Sequence, residues 1–422
     1  MTKTIHQEAK KAIQKPLWVF PWQYKESFLV AAGILLTGLA LQVSTGQELQ
    51  PLIFPYNAIF MTVFWAGIAG VHFAFKNNSI VKWLRSVPAS ISSIVLVVFL
   101  VMIMGSIPQA NFTQGVEKDI FGFSHMTTSW PFNLAMFFFL LTLGFTTINR
   151  VFPFQKRNIG FILNHFGLWL TVVSATMGAG DLERLMMDLY EGKVEYRAYD
   201  DQGNMQEMPI AFKLKDFKLD EFTPKLGIVN NKTGNLYLEE GNSMRMIEEN
   251  SPYELMGWEF EVKKYFYESV RLSNGRYEPV NEMGAAPAAK VIARNLATGQ
   301  TKEGWVSSGS FRRQFEGLPL TDEFSLIMTL PEAKKFSSEV EVFTYKGEKS
   351  QAVLEVNKPL EVEGWKVYQL SYDSNRGRWS TLSVVELVRD PWLPIVYLGI
   401  AMMLLGAIDI MWTGYKQKNN HE

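Results

Sequence analysis

The chain has 422 residues, 47% of them hydrophobic and 20% charged, with a formal net charge of −1. That near-neutral balance gives no sign of nucleic-acid binding, and the absence of cysteine excludes disulfides, thiol redox relays and cysteine-ligated metal. Length alone suggests about two or three soluble domains, but the apolar residues are not distributed as a soluble chain distributes them.

In chain order, apolar runs occupy Phe28 to Leu41, Ile53 to Phe75, Val87 to Ile107, Pro131 to Ile148, Ile159 to Ala179 and Leu393 to Trp412. Most reach the roughly 20 residues that an α-helix needs to cross hydrocarbon; the first is short and ends in Gln42. The expected organisation is a transmembrane helical region over 1–180 with about five spans, an exported β-rich domain over 181–390, and a final span with its tail over 391–422.

Basic residues fix the orientation, because short cytoplasmic loops carry the Lys and Arg excess. Lys3, Lys10, Lys11, Lys15 and Lys25 precede the first run, while the loop from Gly46 to Tyr56 has none. Lys76, Lys82 and Arg85 follow the second run, Lys118 alone sits between the third and fourth, and Arg150, Lys156 and Arg157 precede the fifth. Lys416 and Lys418 come after the sixth. The sides alternate without violation, so both termini are expected in the cytoplasm and the large domain outside it. The polar and aromatic stretch before the first run, with no A-x-A-like site after it, argues against a cleavable signal peptide.

Within the exported domain Asp181 to Gly192 mixes charges with large apolar groups, which reads as a helical continuation of the fifth span rather than a segment along the membrane surface. From Pro209 on, the pattern is that of strands. Phe212 to Lys215, Trp258 to Lys263 and Val340 to Val342 alternate with period two, and Trp365 to Leu370 and Leu382 to Leu387 follow as further short strand-like runs. A hairpin is expected where Phe343 to Tyr345 leads through Lys346, Gly347 and Glu348 into Val353 to Val356. Short runs separated by Gly, Asn and Ser turns argue an antiparallel sandwich or barrel-like domain. It holds no histidine, which leaves a His-based triad or zinc site without its main residue.

The chain has five histidines. His6 and His421 are terminal, and His125 lies in the outer loop Gly122 to Trp130. His165 lies about five residues into the fifth span, where an ionisable side chain is costly and signals function, and neutral imidazole is an axial ligand for haem iron. His72 lies near the inner end of the second span, at a similar depth by helical rise, so that the two share a layer from which they could ligate one iron. The bland readings are snorkelling beside Lys76 for His72 and a hydrogen bond to a neighbouring helix for His165. Trp169, one turn from His165, either stacks on a porphyrin face or packs in the bundle. Asp409, near the inner end of the last span, either reaches the interface or orients an imidazole N–H from behind. Gly160, Gly167, Gly178 and Gly180 admit close approach of a helix or of a flat macrocycle.

The run His165-Phe-Gly167, through Met177-Gly178-Ala-Gly180 to Glu191-Gly192, resembles the last membrane helix before the exported domain in ResB/CcsB proteins of cytochrome c biogenesis. Pro209 to Phe217, Val356 to Leu360, Gly364 to Asp373 and Arg389-Asp390-Pro391 with its following span continue the resemblance, which covers Gly160 to the C-terminus. It implies a subunit of the System II machinery, which exports haem b across the bacterial inner membrane and attaches it covalently to apocytochrome c. It also implies that His165 is a haem ligand, with a partner ligand from a CcsA-type subunit that carries a WWD motif and two external histidines. This chain has no WWD sequence, has five spans before the exported domain where three are usual, and is not fused to a CcsA half. The expected role is therefore that of an accessory subunit and not of a complete synthase, and no family role carries over to His72 or His125. Two rivals stand beside it: a b-type cytochrome subunit of a quinone-linked complex using His72 and His165, and a cofactor-free membrane assembly scaffold.

Overall fold

The computed structural model describes residues 16–110, 117–237 and 244–419. Lys3, Lys10, Lys11, Lys15, His6 and His421 lie outside the described residues. The chain divides into two compact units, Met1–Leu182 with Asp390–Glu422, and Glu183–Arg389.

The first unit is helical: α1 (Tyr24–Thr45), α2 (Tyr56–Phe75), the short α3 (Ser79–Leu84), α4 (Val87–Ser106), α5 (Trp130–Val151), α6 (Ile159–Gly178) and α7 (Leu393–Asn419). All but α3 are long and apolar enough to cross a membrane, which makes six candidate spans among the described residues. The first is longer than its apolar run because Gln42 does not end it. That residue is buried, and its side-chain carbonyl accepts the Trp130 N–H at 3.0 Å, satisfying an otherwise open donor at the start of α5. Ser86 and Pro88 begin α4, the serine hydroxyl facing the Ala89 N–H. The central helix is α5: 56% of its apolar stretch is buried, against 11 to 33% for the other five. It packs against α1, α2, α4 and α6, and the Ser93 and Thr142 hydroxyls meet at 2.9 Å between α4 and α5.

The closest helix pair is α6 with α7, and its closeness follows from glycine. A carbon added at Gly167 would stand 2.6 Å from the Gly399 carbonyl oxygen and 2.8 Å from the Met403 nitrogen. Gly160 faces Asp409, Gly406 faces the Asn164 backbone, and Gly178 faces the Trp392 side chain. At the far end of the pair Asp181 accepts the Trp392 indole N–H at 2.6 Å, the Asn57 amide at 2.7 Å and the Phe54 N–H at 2.8 Å, which ties the start of α2 to both helices.

The second unit is an antiparallel β domain. Its largest sheet has eight strands, in the spatial order Lys349–Glu355, Ala333–Thr344, Met205–Glu221, Val194–Tyr199, Glu183–Tyr190, Leu382–Arg389, Trp365–Tyr372 and Leu360–Val362. The sheet curls, so that Leu189, Phe212, Leu214, Val342, Leu354, Val367 and Leu387 share one core. Ser338 bridges its walls, donating to Gln369 Oε1 at 2.7 Å beside Ser383 at 2.8 Å, all three buried. The expected hairpin is present: Phe343 pairs with Lys349 across a turn in which Gly347 takes φ 81°, a conformation that favours glycine. Two smaller sheets, built on Trp258–Arg271 with Ala286–Asn295 and on Lys225–Asn230 with Phe324–Met328, share a second core around Phe260, Val291, Leu226 and Ile228.

One expectation is corrected. Asp181 to Gly192 is not a helical continuation: Glu183–Tyr190 is a strand, paired along its whole length with Leu382–Arg389. Leu185, Met187 and Leu189 point into the core while their neighbours do not. This period of two outweighs the helical propensity of Leu and Met once a partner strand is present. Met187→Ala is therefore expected to destabilise the β domain by about 2–5 kcal/mol, and Met186→Ala by at most about 1 kcal/mol. Amide hydrogen exchange over Glu183–Tyr190 and Leu382–Arg389 separates the two. In the helical unit Gly167→Ala is expected to cost about 1–3 kcal/mol through overpacking. Gly33→Ala, with nothing within 4 Å of the added carbon, should leave the melting temperature of the detergent-purified chain unchanged or raise it.

Candidate functional site

A cavity of about 500 Å³ opens in the wedge between α4 and α6, floored by α5. Its walls combine the apolar side chains of Val87, Ile94, Phe139, Leu143, Phe161 and Leu168 with the hydroxyls of Ser90, Ser93, Thr142 and Thr146, and His165 lines it from α6. Seen along the helix axis, successive residues turn by about 100°, so His165 lies about 140° from Gly160 and points away from α7. The glycine face belongs to α7, and the face carrying Phe161, His165 and Leu168 belongs to the cavity.

The His165 ring is fixed from two directions. Its Nδ1 stands 3.1 Å from the Phe161 carbonyl oxygen, which can only accept, so Nδ1 carries the proton and Nε2 carries the lone pair. The Phe161 ring stacks on the imidazole with centroids 3.7 Å apart and an interplanar angle of 18°. This is the tautomer that an Nε2-ligating imidazole requires, held by the kind of backbone carbonyl that orients metal-bound histidines.

Around the mouth stand Arg85 before α4, Arg150 at the end of α5 and Arg157 before α6. Each is engaged by a neutral group: Arg85 Nη1 donates to Asn149 Oδ1 at 3.0 Å and Arg157 Nε to Gln155 Oε1 at 2.8 Å, while the Arg150 guanidinium lies 5.3 Å from the centre of the Phe161 ring. Sequence reading counted these three only as topological charges. Their convergence brings Arg85 beside Arg150 and Arg157 from a distant part of the chain, and the one sequence signal for it was that all three fall on the same rim.

The other residues singled out from the sequence do not join His165. His72 is buried on α2, has no hydrogen-bond partner for Nδ1 and does not line the cavity. Trp169 is buried, donates its indole N–H to the Leu140 carbonyl at 3.2 Å and packs against Trp65, with ring centroids 4.8 Å apart. That leaves no cavity face for stacking. Asp409 sits against Gly160 on the opposite side of α6, and the imidazole N–H it was expected to orient is engaged by Phe161. Gly160, Gly167 and Gly178 serve helix packing, and Gly180 approaches the Leu52 backbone. His125 is buried in the loop at the other rim, with Nδ1 3.5 Å from the Ser124 hydroxyl.

In the β domain the polar side chains converge on a joint between the curled sheet and the smaller sheets. Arg378 lies 3.9 Å from the Tyr267 ring centre and 5.2 Å from the ring of Trp379. Its Nη1 is 3.7 Å from Glu221 and 3.8 Å from Glu268. Burial raises the Glu221 pKa above its ordinary value, against the opposing pull of Arg378. Such a geometry braces the domain and offers no nucleophile–base pair. Among the described residues no group of three or more His, Cys, Asp or Glu side chains is placed to hold a metal ion.

Residues 318–384 match the model of the ResB-like family. That segment contains the motifs Val356 to Leu360 and Gly364 to Asp373 together with Arg378, whereas His165 and the motifs on either side of the segment lie outside it. No curated protein matches the chain. The Arg378 joint gives a pH dependence with a definite sign. A carboxyl whose folded pKa is raised binds its proton more tightly in the folded state, so stability falls as pH rises from the ordinary carboxylate value of 4.5 through the raised one. Glu221→Gln should flatten that part of the unfolding profile, and an unchanged slope would show that Arg378 keeps Glu221 ionised throughout.

Proposed function

We propose that this chain, whose residues 318–384 match the ResB-like family, is the ResB/CcsB-type subunit of the System II machinery of cytochrome c maturation. In this role it takes part in haem export across the bacterial inner membrane and in covalent haem attachment to apocytochrome c. The observation that carries the reading is His165: an imidazole in a membrane-spanning helix, lining a cavity, with Nδ1 satisfied and Nε2 left as a ligand.

The rim that holds Lys25, Lys76, Lys82, Arg85, Arg150, Lys156 and Arg157 is read as cytoplasmic by the positive-inside rule, against Lys118 alone between α4 and α5. Both termini then lie in the cytoplasm and the β domain in the periplasm. The cavity opens toward the cytoplasmic leaflet, where haem b would be taken up as cargo with its iron on His165 Nε2. The Phe161 carbonyl holds the Nδ1 proton of the neutral ring, so that Nε2 is the nitrogen with the lone pair, and the Phe161 ring keeps the imidazole from turning.

The β domain, with no histidine, supplies no imidazole for an external haem site. That site is assigned to a CcsA-type WWD-motif partner, and the β domain is assigned to guiding apocytochrome c or bracing the partner. Without cysteine, this chain takes no part in reducing the apocytochrome thiols. A b-type cytochrome site built on His72 and His165 would need both on one cavity, and only His165 lines this one.

The test is haem quantification in the complex purified with its partner, for the wild type and for His165→Ala. The variant is expected to lose most of its haem, because even removal of a residue that only supports a metal ligand costs about 10–100-fold in affinity, and cytochrome c maturation should fall with it. Unchanged haem and unchanged maturation would overturn the assignment of His165, and a wild-type complex without haem absorbance would favour the scaffold reading.

A further inference from the structure

Arg85, Arg150 and Arg157 are uncompensated. Among the described residues no carboxylate lies within ion-pair distance of any of them, whereas in the β domain Lys218, Arg271, Arg313 and Lys335 each have a glutamate partner. Three guanidinium groups with neutral neighbours at the mouth of the cavity make an anion-binding rim, because a guanidinium offers a planar fork of donors that fits carboxylate and phosphate oxygens.

The depth of the site narrows the ligand. From Ile159, the first residue of α6, to His165 the helix rises about 9 Å. The cavity therefore presents cations at its mouth, walls of mixed apolar and hydroxyl-bearing side chains along its length and a bare imidazole nitrogen further in. A phospholipid headgroup matches the rim and the walls but has nothing for the nitrogen to ligate. A flat metallated tetrapyrrole with carboxylates on one edge matches all three. We propose that Arg85, Arg150 and Arg157 grip the carboxylates of the incoming haem, so that the rim selects the dicarboxylate edge and orients the macrocycle toward His165. This rests on the haem-export reading. It also gives α4 a task, since Arg85, just before it, and Val87, Ser90, Ser93 and Ile94 on it form the wall that faces α6.

The experiment uses the full chain in nanodiscs of zwitterionic lipid, titrated with ferric haem and with its dimethyl ester, in which both carboxylates are masked. Arg85→Gln, Arg150→Gln and Arg157→Gln are each expected to weaken haem binding about tenfold, the loss of one charge-assisted hydrogen bond. They should leave binding of the ester, and the absorbance signature of axial ligation, as in the wild type. Retained ester binding also reports that the cavity still folds. His165→Ala should instead lose the axial signature with both ligands.

If the variants bind haem as the wild type does, or the wild type binds the ester as tightly as haem, the rim does not read carboxylates, although haem uptake at His165 stands. If the wild type binds neither ligand, the haem reading itself falls and the inference with it. In a second arm the chain is purified from a membrane containing anionic phospholipid. Loss of co-purifying anionic lipid in the triple variant, with haem affinity unchanged, would assign the rim to lipid headgroups and overturn the proposal.

Discussion

The α6–α7 contact is the constraint on which the site depends. Gly160, Gly167, Gly399 and Gly406 let the two backbones approach until any added side-chain carbon would strike the opposite helix. Without a hydrophobic drive in lipid, such close van der Waals packing is what holds two spans together. A helix that commits one face so fully has the other face to offer, and on α6 that face carries Phe161, His165 and Leu168. His165 therefore points where it does because glycine fixed the opposite side. The polar atoms that flank the pair follow the same economy. Asn164 donates to the Met403 carbonyl at 3.2 Å, Thr171 to the Gly167 carbonyl at 2.8 Å, and Asp181 closes the far end by accepting from three donors.

Much of this was legible in the residues. Six spans follow from length and hydropathy, the strands from period-two alternation, and His165 from the cost of an imidazole in an apolar helix. The misreading at Asp181 to Gly192 has a local cause. Asp181, Glu183 and Arg184 cluster at one end and resemble a helical turn, while the alternation at Leu185, Met187 and Leu189 gains force only from the partner strand, two hundred residues away in the chain. Gln42 shows the opposite case. A polar residue inside an apolar run looked like the end of a span, yet it is buried as the cap of another helix.

The arginines were visible but took on a different meaning. In sequence Arg85, Arg150 and Arg157 mark the side of the membrane. In space they surround one opening, and their partners are amides and a ring in place of carboxylates. Periodicity cannot reveal that convergence, because it depends on how α4, α5 and α6 splay. Trp169 and Asp409 failed to join the site for an equally spatial reason: helical spacing brought them near His165 in number or in depth but not onto its face.

The first and last strands of the β domain are neighbours, with Glu183 opposite Arg389. The domain thus begins and ends at one point of its own sheet, and its two ends connect directly to α6 and α7, which already form a pair. Topologically it is a long insertion into a helical hairpin. A hairpin of this kind does not need its insert to close, so the part of the chain outside the helices is free to be resized, recombined or exchanged in evolution while the glycine-packed helices keep the imidazole aimed. The helical pair and the inserted domain can then diversify on separate schedules within a single polypeptide.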